Sequence, residues 1–198
     1  MVACPGPPPR RTALDYATLV RRAEELWHEE RWDECGLAFE ELLALRPAAP
    51  DASEHAYGAL LCRNNSFSSR WDPMERTPAP EQPRALTEAE RDLDLAMRRF
   101  ECLAPSSEDW ETVLYRRGRM QYEAGNLAEA AAIFGEMVRR ESNGGLIFYA
   151  ANLYLDALNL LEEQRGDGVC GAALRAAAEE FDRARLFSDD ITRPLSTA

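Results

Sequence analysis

One stretch of the chain, residues 113–142, constrains the fold more than any other. It reads VLYRRGRMQYEAGNLAEAAAIFGEMVRRES, and its apolar residues recur at helical spacing on both sides of a break at Gly125-Asn126. A glycine at this break allows the left-handed backbone of a tight turn. Asn126, with Glu129 three residues later, is typical of a helix N-terminus. The stretch therefore predicts two short antiparallel helices joined by a turn.

The large and small residues of this hairpin follow a fixed order. Six of them define it: Leu114, Gly118, Gly125, Leu127, Ala130 and Phe134. In this order they resemble the tetratricopeptide repeat (TPR), a helical hairpin with a period of about 34 residues. The resemblance implies that Gly118 and Ala130 are small because the two helices approach closely there. Ser142 replaces the proline that usually closes the repeat.

The same template fits residues 19–47, LVRRAEELWHEERWDECGLAFEELLALRP. Ala23 takes the small position of the first helix, and Phe39 takes the aromatic position of the second. Glu30 stands where the turn glycine is expected. Cys35 takes the small, buried position of the second helix, which favours a packing role over a reactive one.

A third unit is split by a long insertion. Residues 51–64 predict its first helix, and Thr87 with Glu90 forms a capping box at the start of its second helix, which runs to residue 102. The intervening loop, 65–86, is rich in Ser, Pro and Asn. Because connections in compact domains are usually much shorter, this loop is expected to be functional or disordered.

A fourth unit is predicted from helices at 146–163 and 172–186. One hairpin cannot bury its own apolar face, so stacked hairpins are needed to form a core. The expected fold is all-α, a TPR-like right-handed solenoid of about four antiparallel helix hairpins over residues 12–187. Residues 1–11 and 188–198 are expected to be disordered tails.

Charge narrows the class of partner. The net charge is −12 and the pI is about 4.7, and an acidic surface repels phosphate, so nucleic acid is not expected to bind. No apolar run is long enough to span a bilayer. Membrane contact is expected only through a lipid anchor at Cys4, since Val2-Ala3-Cys4 has the small-residue pattern that precedes a lipidated cysteine. A disordered tail that happens to contain a cysteine would read the same way.

The five cysteines leave the compartment open. They are too far apart for a C-x-x-C motif, and they fit either two disulfides in an oxidising compartment or small buried helix residues. Residues 115–119 (YRRGR) and 148–159 (FYAANLYLDALN) resemble envelope-associated TPR proteins of gliding bacteria. That resemblance implies a scaffold in motility or outer-membrane assembly, in the periplasm or at the outer membrane. The alternative location is the cytoplasm.

Catalysis is not expected. The two histidines, His28 and His55, lie beside no recognisable nucleophile motif. Glu25-x-x-His28 is half of a di-iron signature whose other half is missing. No zinc spacing, P-loop or dinucleotide fingerprint is present, so no metal or cofactor is expected and the chain is not predicted to be an enzyme.

The TPR resemblance implies that first helices line a concave groove and that their outward residues bind a protein or peptide. Aromatic and arginine side chains are typical binding anchors. Carried over position by position, the partner-binding residues are Trp27, His28, His55, Arg63, Tyr115, Arg119, Tyr122 and Tyr154. The family's clamp for chaperone tails needs lysine, which this chain lacks. The predicted function is therefore a non-catalytic adaptor or scaffold for another kind of partner. The alternative is a structural spacer or oligomerisation module with no peptide ligand.

Overall fold

The computed structural model describes residues 5–67, 82–140, 145–166 and 169–183. These residues contain eight α-helices and no strand, so the all-α prediction is confirmed for them. The helices are α1 (Tyr16–His28), α2 (Trp32–Leu45), α3 (Ala52–Phe67), α4 (Glu88–Leu103), α5 (Trp110–Glu123), α6 (Leu127–Arg139), α7 (Ile147–Arg165) and α8 (Val169–Arg183). No helix among them is both long and apolar enough to cross a membrane.

The chain divides into two compact units. The first contains α1–α4. The second contains α5 from Glu111 onward, together with α6, α7 and α8. Residues 82–85, at the end of the long insertion, also belong to the second unit, where the Arg84 backbone N–H donates to the Ala124 carbonyl at 2.8 Å.

Local sequence signals set the helix starts in the first unit. The Asp15 side chain accepts the Thr18 backbone N–H at 2.9 Å and caps α1. The capping box predicted at Thr87 and Glu90 is confirmed, because each side chain accepts the other residue's backbone N–H. One boundary differs from the prediction, since α3 continues to Phe67 instead of ending at residue 64.

The core of the first unit is built from the inward faces of α1, α2 and α3, with leucines, alanines and two cysteines. Cys35 of α2 and Cys62 of α3 are both fully buried and form a disulfide, with their Cα atoms 5.8 Å apart. Cys102 is disulfide-bonded too. Cys35 is thus buried, as predicted, and it also links two helices covalently.

Two turns show how the hairpins are closed. Gly125, between α5 and α6, has a φ of 76°, as the sequence predicts for a left-handed turn. Glu30, between α1 and α2, has a φ of 55° and is the one non-glycine residue with positive φ among those described. Glu30 therefore has the left-handed backbone conformation that was expected of a glycine at this turn.

The second unit is held by close helix approach. Phe134 of α6 is fully buried against Gly118 of α5, and a Cβ added to that glycine would lie 2.6 Å from the Phe134 ring. Gly166, with a φ of 65°, ends α7 in a left-handed C-cap. The last hairpin is placed slightly differently from the predicted 146–163 and 172–186, since α7 ends at Arg165 and α8 begins at Val169.

Part of the predicted N-terminal tail, 1–11, is described. Residues 5–11 have no helix or strand, and they lie on the first unit with Pro8 buried. Residues 1–4, and with them Cys4, lie outside the described residues, as do 68–81 of the long loop and the tail at 188–198.

Candidate partner-binding site

The residues predicted to bind a partner are best described from the contact between α5 and α7. The Tyr122 hydroxyl of α5 donates a hydrogen bond to the Asp156 carboxylate of α7, 34 residues further along the chain. The Tyr115 ring lies 6.4 Å from the Tyr149 ring, centroid to centroid, in an edge-on arrangement. Two first helices of successive hairpins therefore meet side by side.

Arg119 lies between these two tyrosines on the same face of α5, because residues three or four apart share a helix face. It forms an ion pair with Glu123, one turn further along the helix. We call Tyr115, Arg119, Tyr122, Tyr149 and Asp156 the α5–α7 strip. Tyr122 and Asp156 hold one another and Glu123 holds Arg119, so the polar side chains of the strip are ordered by contacts within the second unit.

The exposed end of the α5–α7 strip is aromatic. Tyr149 is 37% exposed, and its neighbour Phe148 is 43% exposed. The Asn152 side-chain amide donates to the Phe148 carbonyl at 2.8 Å, one turn further along α7. Two adjacent aromatic side chains at the start of a helix are large, stiff and reachable from solvent, which suits a binding anchor.

The first unit also has a tyrosine–aspartate hydrogen bond, which joins the first residue of α1 to the residue directly before α3. The Tyr16 hydroxyl donates to the Asp51 carboxylate, 35 residues further along the chain, and lies 2.8 Å from His55 Nε2. The Asp51 carboxylate raises the pKa of Tyr16, and the Tyr16 hydroxyl lowers the pKa of Asp51. The Arg46 guanidinium lies 4.2 Å above the Tyr16 ring. This cluster joins two first helices through polar groups, as the α5–α7 strip does.

Four of the eight predicted partner-binding residues are buried: His55, Tyr115, Arg119 and Tyr122. Each makes a contact within its own unit, and these contacts join neighbouring first helices or neighbouring turns of one helix. They were predicted to face outward, and the structure places them as support for the surface rather than as freely exposed groups. Direct binding of a partner by these four stays a prediction.

Two predicted residues are accessible at the end of α1. Trp27 is half-buried and lies edge-on to Trp32, with ring centroids 5.2 Å apart, and His28 is exposed. Trp27 also packs on the core of the first unit. The exposed surface here is therefore one histidine beside two partly covered tryptophans.

Arg63 has a position that the prediction did not foresee. It was expected to face outward from a first helix, but its guanidinium points toward α2 and α4, where it contacts Glu40 at 3.2 Å and Asp92 at 3.6 Å. It lines a cavity of about 310 Å³, together with Asp33, Ser66, Glu88, Ala89 and Asp92. These two carboxylates hold the Arg63 side chain against α2 and α4, and partner binding by Arg63 stays a prediction.

Tyr154 also faces away from the strip. Its ring centroid lies 6.0 Å from that of Phe181 in α8, and a Cβ on Gly135 of α6 would lie 3.1 Å from the Tyr154 ring. The half-buried Tyr154 ring thus packs between α6 and α8, and partner binding by Tyr154 stays a prediction.

Sequence reasoning missed three residues of this surface, namely Phe148, Tyr149 and Asp156. The signal that identifies two of them is an interval of 34 residues, since Asp156 lies 34 residues after Tyr122 and Tyr149 lies 34 residues after Tyr115. Counting one period along the chain from the α5 residues finds the α7 residues that they contact.

In the part of the chain that the structure describes, no three His, Cys, Asp or Glu side chains are grouped so that they could hold a metal ion. No family model matches this chain, and no curated protein matches it either.

Proposed function

We propose that this chain is a TPR-like helical repeat protein, a right-handed solenoid of helix hairpins that binds a protein or peptide partner and carries out no catalysis. The observation that carries the proposal is a tyrosine–aspartate hydrogen bond spanning about one repeat period in each unit. Tyr122 of α5 donates its hydroxyl to Asp156 of α7, 34 residues away, and Tyr16 of α1 donates to Asp51, 35 residues away and directly before α3.

This interval supports a TPR-like period because the TPR repeats every 34 residues or so. Contacts between residues one period apart arise when equivalent helices of successive repeats stack in register. The Tyr115–Tyr149 ring contact supports the same register. Glu30 and Gly125 both have a positive φ, so two of the hairpins have similar turns, which is also consistent with a repeat.

Binding is supported by the exposed aromatic pair Phe148 and Tyr149 at the end of an ordered strip. Aromatic side chains lose little conformational entropy when they are covered, and they dominate the energy of many interfaces. The net charge of −12 favours a partner segment with basic residues, since opposite charges speed the encounter.

The proposal is tested by selecting peptides from a random display library against the full chain. The selected peptides are then compared on the unaltered protein, on the double variant Phe148→Ala, Tyr149→Ala, and on Leu103→Ala. Leu103 is a matched control because it is an exposed apolar residue of the first unit, at 39% exposure. We expect the double variant to bind at least tenfold more weakly and the Leu103 variant to bind normally.

Two results would count against binding at this surface. Peptides that bind the double variant as tightly as the unaltered protein would place the site elsewhere. A selection that enriches no peptide would favour the alternative function, a structural spacer or oligomerisation module.

The compartment belongs to the same proposal. The buried Cys35–Cys62 disulfide supports an oxidising compartment such as the bacterial periplasm, because disulfides are rare in the cytosol. This proposal is tested on protein isolated from its natural source, by denaturing it and labelling its thiols before and after reduction. Labelling of Cys35 and Cys62 without prior reduction would contradict it.

A further inference from the structure

The first unit carries a second polar site, made by Glu41 of α2 and Arg99 of α4. Both side chains belong to residues that are nearly buried, at 3% and 8% exposure. The Glu41 carboxylate accepts the backbone N–H of Arg11, the backbone N–H of Thr12 at 3.2 Å and the Thr12 hydroxyl at 3.4 Å. Arg99 Nε donates to the Gly6 carbonyl at 3.4 Å. One acidic and one basic side chain thus hold the same N-terminal segment.

Three of these four hydrogen bonds go to the backbone of the segment. A site that recognises backbone groups selects an extended course of the chain, and it depends little on the side chains that the segment carries. Residues 5–9 are Pro-Gly-Pro-Pro-Pro, and Pro8 is buried. Prolines hold the chain extended before it binds and have no N–H of their own to satisfy, so a proline-rich segment loses little entropy on binding here.

The site is anchored in the core of the unit. Glu40, beside Glu41 in α2, accepts from Arg63 of α3 at 3.2 Å and lies 3.9 Å from Arg99. Arg99 is therefore held by α2 while it reaches the segment. Hydrogen bonds within the N-terminal segment also stabilise its conformation, because the Arg10 guanidinium donates to the carbonyls of Thr12 and Leu14.

We infer that Glu41 and Arg99 form a binding site for the backbone of an extended, proline-rich peptide, and that residues 6–12 of this chain occupy the site in cis. A free peptide of this kind must displace the chain's own segment before it binds. The inference goes beyond the proposed function, because the site lies in the first unit and uses no residue of the α5–α7 strip.

The test measures binding of a fluorescent peptide, PGPPPRRTAL, which copies residues 5–14, to three full-length proteins by fluorescence anisotropy. Thr12→Pro removes an N–H and the hydroxyl that Glu41 accepts, and it lies outside every helix. We expect the peptide to bind this variant at least tenfold more tightly than the unaltered chain, where the resident segment competes. Ala13→Pro is the matched control, since its N–H is not among the donors to Glu41, and it is expected to behave like the unaltered chain.

A second variant tests the carboxylate. Adding Glu41→Gln to Thr12→Pro leaves one acceptor oxygen and turns an NH2 group toward the second donor, so we expect the peptide affinity to fall at least tenfold. Circular dichroism checks that the helices persist. If they do not, hydrogen exchange on the unaltered protein decides, because the Arg11 and Thr12 amides should be protected and free exchange would overturn the inference.

Several results would refute cis occupation. Equal binding of the peptide to the unaltered and Thr12→Pro chains would show that no segment competes. A peptide of the same charge, PGPPPRRPAL, lacks the N–H and hydroxyl of Thr12 that Glu41 accepts. If it binds the Thr12→Pro chain equally well, the effect reduces to attraction between a basic peptide and an acidic protein. A dimer of the unaltered chain that dissociates in Thr12→Pro would show that a second copy's segment fills the site.

Discussion

Substitutions of the turn residues Glu30 and Gly125 test whether two of the hairpins have equivalent turns. Both have a left-handed backbone, with φ of 55° and 76°. This conformation costs an L-residue about 1–2 kcal/mol, whereas glycine adopts it without strain. Glu30 therefore carries a local cost that Gly125 does not.

Glu30→Gly should stabilise the first unit. The strain of about 1–2 kcal/mol is relieved, and the extra freedom of glycine in the unfolded chain takes back about 0.5–1 kcal/mol. The net gain is therefore between about 0 and 1.5 kcal/mol. Gly125→Ala should do the reverse in the second unit and cost about 1 kcal/mol, since strain enters and only part of it is offset by a stiffer unfolded chain.

Urea unfolding followed by circular dichroism measures both changes, provided that the slope of the unfolding free energy against urea concentration is the same for each variant. Glu29→Gly is the control, because Glu29 is the neighbouring exposed residue and has an ordinary φ of −81°. It gains no strain relief, so glycine there should destabilise. If Glu30→Gly destabilises as much as Glu29→Gly does, the turn at Glu30 is not strained and the two turns are not equivalent.

Three further predictions concern packing, ionisation and the disulfide. Gly118→Ala should destabilise the second unit by about 1–3 kcal/mol in thermal unfolding, because the new Cβ would lie 2.6 Å from a buried ring; an unchanged midpoint would contradict this close approach. The Tyr16 hydroxyl lowers the pKa of Asp51 in the folded protein. The hydrogen bond therefore contributes its full stability above the pKa of an unfolded carboxyl group, about 3.9. That stability is lost as the pH falls through the lower pKa of the folded state. The stability gap between the unaltered chain and Tyr16→Phe should therefore shrink in urea titrations below about pH 4, and a constant gap from pH 7 to 2 would refute it. Replacing Cys35 and Cys62 by Ala should cost about 3–4 kcal/mol in urea unfolding, since the bond closes a loop across 27 residues; a loss under 1 kcal/mol would mean that the cross-link does not constrain the unfolded chain.

The parts of the fold that were predicted correctly rest on local signals. The Thr87 capping box and the turn at Gly125 each involve residues within one helical turn, so the sequence alone specifies them. The residue Phe134 was placed in the second helix by its position in the repeat, and its burial against Gly118 follows from that register.

The orientation of the site residues could not be predicted in the same way. Spacing along a helix separates its faces, but it does not say which neighbour covers each face. Tyr122 was predicted to lie on an open surface, but its hydroxyl hydrogen-bonds to Asp156, 34 residues later, and its side chain joins α5 to α7. Tyr154 lies in α7, where Phe148 and Tyr149 are exposed although apolar, so the apolar pattern does not identify the buried face.

The N-terminal segment shows a different limit. Its prolines give no helical or strand period, so the segment was predicted to be disordered. Its order comes from Glu41, 30 residues away, whose carboxylate accepts its backbone N–H groups. A contact between residues so far apart in sequence produces no periodic pattern of apolar residues in either segment, so it could not be predicted from the sequence.

Stacking decides which residues remain for a partner. Tyr16 of α1 and Tyr122 of α5 are used within their own units, through Asp51 and Asp156. Phe148 and Tyr149, at the start of α7, are 43% and 37% exposed instead. Removing aromatic surface from water is favourable, and such side chains dominate the energy of many interfaces. This pair is therefore the part of the second unit that a partner would gain by covering.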